Sequence, residues 1–408
     1  MSLVFNSFTF PNSTTIKNRL VKAAMEENMS DENLLPSKEL INLYGQWAKG
    51  GSGLLITGNV MVDKEAMTGP GGVVLDKDSD LTRFKLWADT AKQNKTKVWM
   101  QISHPGRQVY KKMGGKVYSP SDIPLDMGKL SDMFGQPTTM TEVQIKDVIS
   151  RFSDTAKQAE LAGFDGVEVH AAHGYLLAQF LSPLVNKRED DWGGSLDNRS
   201  RLLLEVIKAI KSNVSDSFSI SVKLNSADFQ HGGFDEEDAL AVVKSLEALN
   251  IDMIELSGGS YEAPAMQGVT ADGRTLAREA YFLSFAASIS KNTSVPIMTT
   301  GGIYKFGTAK TVLAQGVDLV GIATALALQP DLPNRWQLGK NVEVATPQVK
   351  WKNKTFRSLA IMALVKRNLR RIGAGKKTSS KLSPFFTLIL DQIRTAKLVK
   401  RYQKLLSQ

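Results

Sequence analysis

An α/β fold built on a closed (β/α)8 TIM barrel is what this chain predicts, from three observations. Eight short apolar runs without helical period alternate with segments of helical spacing in one continuous series. Polar or glycine residues end each apolar run, as they do at the C-terminal mouth of a barrel. The 408 residues accommodate one such barrel with extensions.

Taken in order, residues 1–18 alternate apolar and polar side chains (Val4, Phe5, Phe8, Phe10) and predict a short N-terminal hairpin under the barrel floor. Strands are expected at 20–24, 53–57, 97–102, 166–169, 220–224, 253–256, 296–299 and 319–322. Helices are expected at 36–49, where Leu40, Leu43, Tyr44 and Trp47 share a face, and at 81–93, 142–162, 196–212, 236–249, 280–290 and 307–315. The stretch 109–140, broken by proline and glycine, reads as a long loop after the third strand that covers the mouth as a lid or hairpin. Residues 356–369 and 384–406 again carry apolar residues at helical spacing, with Lys and Arg between them. The expected division is a barrel over 1–340 and a basic helical C-terminal extension over 341–408.

Charge is unevenly spread along the chain. From Lys350 to Gln408 sixteen Lys and Arg face one acid, Asp391, whereas the residues before carry 35 bases and 40 acids. The overall +10 therefore belongs to the extension, and it is not a nucleic-acid signature, because aromatics are not interleaved with the bases for stacking. The apolar stripes of the extension predict docking on the barrel or on a second subunit, with adsorption to an anionic membrane as the alternative. No run of eighteen apolar residues occurs and the N-terminus lacks the basic-then-apolar order of a secretion signal, so a cytoplasmic protein is expected. The absence of cysteine removes disulfides, thiolate nucleophiles and any Cys-ligated iron–sulfur cluster.

Chemistry-bearing residues stand where the strands end. They are Met25 and Glu26, Asn59, Gln101, His170 and His173, Lys223, Ser257, Gly301 and Gly302, and Ala323 with Thr324. His170 and His173 can converge on one ligand atom if the backbone turns through Ala171 and Ala172, and Tyr175 adds an O–H able to deliver a proton. The same spacing admits a zinc pair or two packed histidines. A metal is disfavoured because cysteine is absent and the other histidines are only His104 and His231. Gly301 and Gly302, after the seventh strand, offer freed backbone N–H groups as an anion seat.

The stretch HAAHGYLLAQFLSPLVNKREDDWGGSLDNR, residues 170–199, resembles the flavin-dependent ene-reductases of the Old Yellow Enzyme family. So do KNRLVKAAMEENMS near the first strand and TTGGI with DLVGIATALALQPDLP at the last two. The resemblance covers residues 4–340 and is nearest to the NADH-oxidase-like branch, through SGGSYEAPAM at 257–266 and LNSADFQHGGF at 224–234. It implies FMN as cofactor, NAD(P)H as hydride donor and an electron-poor alkene as acceptor. His170 and His173 would then hold the substrate oxygen and Tyr175 would donate the proton. Backbone groups of Ala23, Ala24 and Met25, with Glu26, Asn59 and Gln101, would lie against the flavin, and Lys223 beside its N1 edge. Gly301, Gly302, Ala323 and Thr324 would seat the phosphate, although the family commonly has Gly-Arg where this chain has Ala323 and Thr324. A carboxylate at Glu26, where Thr or Cys is frequent, would repel charge on the reduced ring if ionised and donate a hydrogen bond if protonated. The longer relatives carry an iron–sulfur cluster and further nucleotide-binding domains, for which this chain has no room. Two other readings stay open: a flavin-free phosphate-binding barrel of isomerase or aldolase type, and a non-catalytic FMN-binding protein that docks on a membrane through its tail.

Overall fold

The structure is a computed structural model that describes residues 2–265, 280 and 282–408. Met266, at the end of SGGSYEAPAM, and Tyr281, in the expected helix 280–290, lie outside the described residues. Eight parallel strands form the barrel: β1 (Leu20–Lys22), β2 (Leu54–Ile56), β3 (Lys97–Ser103), β4 (Gly166–Ala171), β5 (Ser219–Asn225), β6 (Met253–Ser257), β7 (Ile297–Thr300) and β8 (Leu319–Ile322). Each pairs with the next in sequence. β8 returns to β1 with Val320 opposite Leu20, and this closes the ring without an edge.

Helices wrap the ring. They are α1 (Lys38–Lys49), α2 (Thr82–Ala91), α3 (Glu142–Leu161), a short α4 (Leu176–Leu181), α5 (Leu196–Asn213), α6 (Glu236–Glu247), α7 (Leu283–Ser290), α8 (Phe306–Ala314), α9 (Thr324–Leu328) and α10 (Leu332–Gln337). Local chemistry fixes several ends. Ser37, not Pro36, caps α1, its hydroxyl accepting the Leu40 N–H, and Thr141 with Gln144 forms a reciprocal capping box before α3. α2 stops at Ala91 because Asn94 takes a left-handed conformation with φ 56°.

The floor is closed by an antiparallel hairpin, Phe8–Thr9 with Thr15–Ile16. Phe10 and Ile16 enter the barrel bottom and pack with Val21, Leu54, Ile56, Trp99, Met253, Met298 and Leu319. That plug fills the lower barrel with apolar side chains, beside the inward Ser219 and Ser221.

The C-terminal extension forms α11 (Lys354–Gly373) and α12 (Pro384–Leu406), tied together by Arg370 and Asp391 at 3.1 Å. α11 lies so close to α1 that a β-carbon on Gly373 would come within 2.4 Å of the Glu39 carbonyl oxygen. α12 crosses the loops that follow β1, β2 and β3. Arg394 donates to the Asn28 carbonyl at 2.8 Å, Arg401 to that of Asp31 at 2.8 Å, and the Tyr402 hydroxyl to that of Lys64 at 2.8 Å. These two arginines of α12 reach backbone carbonyls of the barrel loops.

Candidate active site

Period-two alternation turns Gln101, Glu168, His170, Lys223, Glu255 and Ser257 into the upper barrel, and the paired registers set His170 beside Lys223 and Lys223 beside Glu255. Gln101 donates its Nε2–H to Glu168 Oε1 at 2.8 Å, and Lys223 Nζ lies 2.6 Å from Glu255 Oε1. The second oxygens of both Glu168 and Glu255 are buried without a partner. Burial first, and then the neighbouring Glu255, pushes the Glu168 carboxyl well above the ordinary range. The floor of the site is thus a lysine already matched by one carboxylate, with a second buried acid alongside. Sequence reasoning found Lys223 and Gln101 but passed over the two glutamates. The signal was present, since each interrupts an apolar strand two positions before a residue singled out at the mouth.

His170 and His173 come together with ring centres 5.0 Å apart, and Tyr175 sits edge-on to His170 at 4.8 Å. The turn that joins them is not made by Ala171 and Ala172. Ala171 still belongs to β4, and the chain reverses at His173 (φ 60°) and Gly174 (φ 73°), a pair of left-handed residues. His173 is held there by its own N–H donating to Asn225 Oδ1 at 3.0 Å.

The two imidazoles are in different states of engagement. Nδ1 of His170 accepts the Ala172 N–H at 3.2 Å, so the neutral ring carries its proton on Nε2 and presents a donor. Nε2 of His173 instead meets the Ser257 hydroxyl at 2.8 Å, which leaves Nδ1 for a ligand. Burial, and then the Lys223 charge, lowers both histidines well below their usual value, so both are neutral at physiological pH.

Above them an aromatic wall closes. The Tyr175 hydroxyl is 3.1 Å from that of Tyr261, in the loop after β6. Tyr261 packs against Phe134 at 6.0 Å, and Phe134 stacks on Tyr110 at 4.9 Å. The loop 109–140 therefore supplies two rings to the mouth. It is braced by Glu262, which takes the buried Arg107 guanidinium at 2.7 Å and the Asp126 N–H at 2.8 Å, and Arg107 also donates to the Ile123 and Pro124 carbonyls. Burial, followed by the Glu26 charge, raises the Tyr175 phenol, which is protonated at neutral pH.

At the β1 end, Ala23 has spent its N–H on the Ile322 carbonyl, so of its backbone polar groups it can offer a ligand only its own carbonyl; Ala24 and Met25 follow. Met25 and Glu26 ride on a fixed base: Lys22 turns outward, where its Nζ reaches the Ile56 carbonyl at 2.8 Å, Tyr44 Oη at 3.0 Å and Glu27 Oε1 at 3.3 Å. Glu26 accepts from Thr68 at 3.0 Å, and Thr68 in turn accepts from Asn59 at 3.1 Å. Lys366 of α11 stands 3.6 Å from the other Glu26 oxygen, so the C-terminal extension contributes a cation to the rim.

Two groups left without partners test the fit of the implied FMN. The backbone N–H groups of Gly302 (φ 66°) and Ala323 have no acceptor among the described residues, and β7 pairs with β8 through Thr300 opposite Gly321, so these amides, with Gly301 (φ 125°) and Thr324 beside them, stand on adjacent strand ends. The Thr300 hydroxyl beside them is buried without a partner, over a Gly321 whose β-carbon would clash with it. Free amides and a hydroxyl at the seventh and eighth strand ends suit a phosphate even without the arginine the family commonly has there. The polar floor of Gln101 and Lys223 suits the ring end.

A sequence model of the family described as NADH:flavin oxidoreductase / NADH oxidase matches residues 3–343. An NADH-dependent flavin oxidoreductase of Neonectria sp. (strain DH2) is 36% identical over 82% of this chain and 47% of its own length. One from Hypocrea jecorina is 35% identical over 78% of this chain and 85% of its own length, and the NADH oxidase of Thermoanaerobacter brockii is 33% identical over 81% and 50%. The chain thus spans about half the length of two of these relatives and most of the third. Among solved structures, a 2-naphthoyl-CoA reductase in complex with 2-naphthoyl-CoA superposes with a TM-score of 0.76 at 26% identity, over 83% of this chain and 52% of that one. The old yellow enzyme homologue from Zymomonas mobilis does so at 0.71 and 22% identity, over 87% and 98%, a likeness of fold.

Proposed function

Because the chain belongs to the NADH:flavin oxidoreductase / NADH oxidase family, we propose that it uses NADH to reduce an electron-poor alkene, such as an α,β-unsaturated carbonyl compound. When bound, FMN supplies the two-electron chemistry, taking a hydride from NADH and giving it to the β-carbon of the alkene. The substrate carbonyl accepts the Nε2–H of His170, and Nδ1 of His173 serves the same oxygen when Ser257 donates to Nε2. Neutral donors suit this task, because they polarise the carbonyl and strengthen as enolate charge develops, without a buried cation to desolvate. Tyr175 gives its phenolic proton to the α-carbon, and the hydroxyl of Tyr261 donates to the phenolate left behind until solvent restores the proton. The wall of Tyr110, Phe134 and Tyr261 keeps bulk water from the reacting carbons.

The observation that carries this reading is the fixed Nε2–H tautomer of His170 beside a protonated Tyr175, a donor for oxygen next to an acid for carbon. The experiment is anaerobic. NADH should bleach the flavin absorption of the purified protein, and 2-cyclohexenone, but not cyclohexanone, should restore it. Protein that holds no FMN, or reduced flavin that the alkene leaves reduced, counts against the proposal.

A further inference from the structure

α12 has two unlike faces. Leu398, Val399 and Tyr402 on the inner face pack it onto the mouth-side loops. The outer face presents Phe385, Phe386, Ile389, Leu390 and Ile393 to solvent, each between 41% and 64% exposed. At about 100° per residue these five fall in one sector of the helix, and the exposed Lys397, Lys400 and Lys404 continue the same sector toward its end. One face therefore runs from aromatic and aliphatic to basic.

Charge selects the occupant of that face. Asp391, the single acid beyond residue 350, is held by Arg370 of α11 and neutralises none of the three lysines. A second copy of the chain would bring a net +10 and its own sixteen-base extension against them. An anionic lipid surface satisfies both halves: the apolar side chains enter the boundary between headgroups and acyl chains, and the lysines meet lipid phosphates. We propose that the outer face of α12 is a docking site for anionic bilayers, on which the helix lies flat; no helix among the described residues is long and apolar enough to cross one. The inner face grips the loops bearing Asn28, Lys64 and Lys112, so docking sets the barrel mouth beside the headgroups.

Flotation of the full-length FMN-loaded protein with vesicles of phosphatidylcholine alone, or of phosphatidylcholine with phosphatidylserine, tests this. Wild type should float only with the anionic vesicles. F385S/I389S/I393S should lose roughly 100-fold in partitioning, and K397Q/K400Q/K404Q roughly fivefold for each lysine, with a matching loss of salt sensitivity. Both variants should keep the wild-type unfolding midpoint and flavin reduction by NADH. Equal flotation with both vesicle types, flotation with neither, or a wild-type mass in solution twice that of F385S/I389S/I393S would overturn the proposal, the last by showing that a second copy covers the face.

Discussion

The hydroxyl of Tyr175 lies 3.1 Å from that of Tyr261, two phenols joined at the mouth of a barrel. Burial raises both, and their shared hydrogen bond pulls Tyr175 back down. Tyr261→Phe keeps the ring and removes the donor to the phenolate, so alkene reduction should slow by roughly 10- to 100-fold while flavin reduction by NADH is unchanged. The alkaline limb of the alkene half-reaction should also move to higher pH, because Tyr175 loses the contact that lowers it. A slower reaction with an unmoved limb would assign Tyr261 to packing alone.

Ser257 decides which nitrogen of His173 faces a ligand. Ser257→Ala frees that choice and should weaken binding of a phenol, followed by its charge-transfer band with oxidised flavin, by about tenfold. Ser257→Thr, which keeps the hydroxyl, should restore it. Unaltered phenol affinity in the alanine variant would detach His173 from ligand binding.

His104 is buried with Nδ1 accepting the Gly106 N–H at 3.1 Å and Nε2 unpartnered, and burial lowers it to about 4. The unfolded chain, with a histidine near 6.5, takes up the proton first. Stability is therefore complete above that value and falls as pH drops from about 6.5 toward 4. His104→Asn retains an acceptor for Gly106 and should flatten the decline in urea midpoint between pH 7 and 5, by on the order of 1–2 kcal/mol. A decline as steep as wild type would place the acid sensitivity elsewhere, with His170 and His173 next in line.

Gly373 is a point of close approach of α11 to α1. Gly373→Val should lower stability by about 2–3 kcal/mol in urea unfolding, because the helix must move off the Glu39 carbonyl. Gly307→Ala, with nothing within 4 Å of the added carbon, is the control and should be neutral or better. Equal effects of the two would mean that α11 is loosely held.

The barrel was legible because strand and helix periods differ and the alternation repeats eight times. The mouth was legible for the same reason, and the thirty residues after His170 carried a resemblance that named its chemistry. What the sequence could not convey is partnership across the ring. Glu255 meets Lys223 and Ser257 meets His173 only through barrel closure, over separations of 32 and 84 residues. The reversal at His173 was misplaced onto two alanines because a left-handed non-glycine residue leaves no mark in composition. Tyr261 sat unnoticed within a quoted motif, since its meaning depends on Tyr175, 86 residues earlier.

Stopped-flow measurement of both half-reactions in Tyr175→Phe tests the account most directly. Reduction of the bound flavin by NADH should proceed within about twofold of wild type, while reoxidation by 2-cyclohexenone slows by roughly 100-fold or more. Equal slowing of the two, or an undiminished rate with the alkene, would contradict the assignment of Tyr175 as the acid.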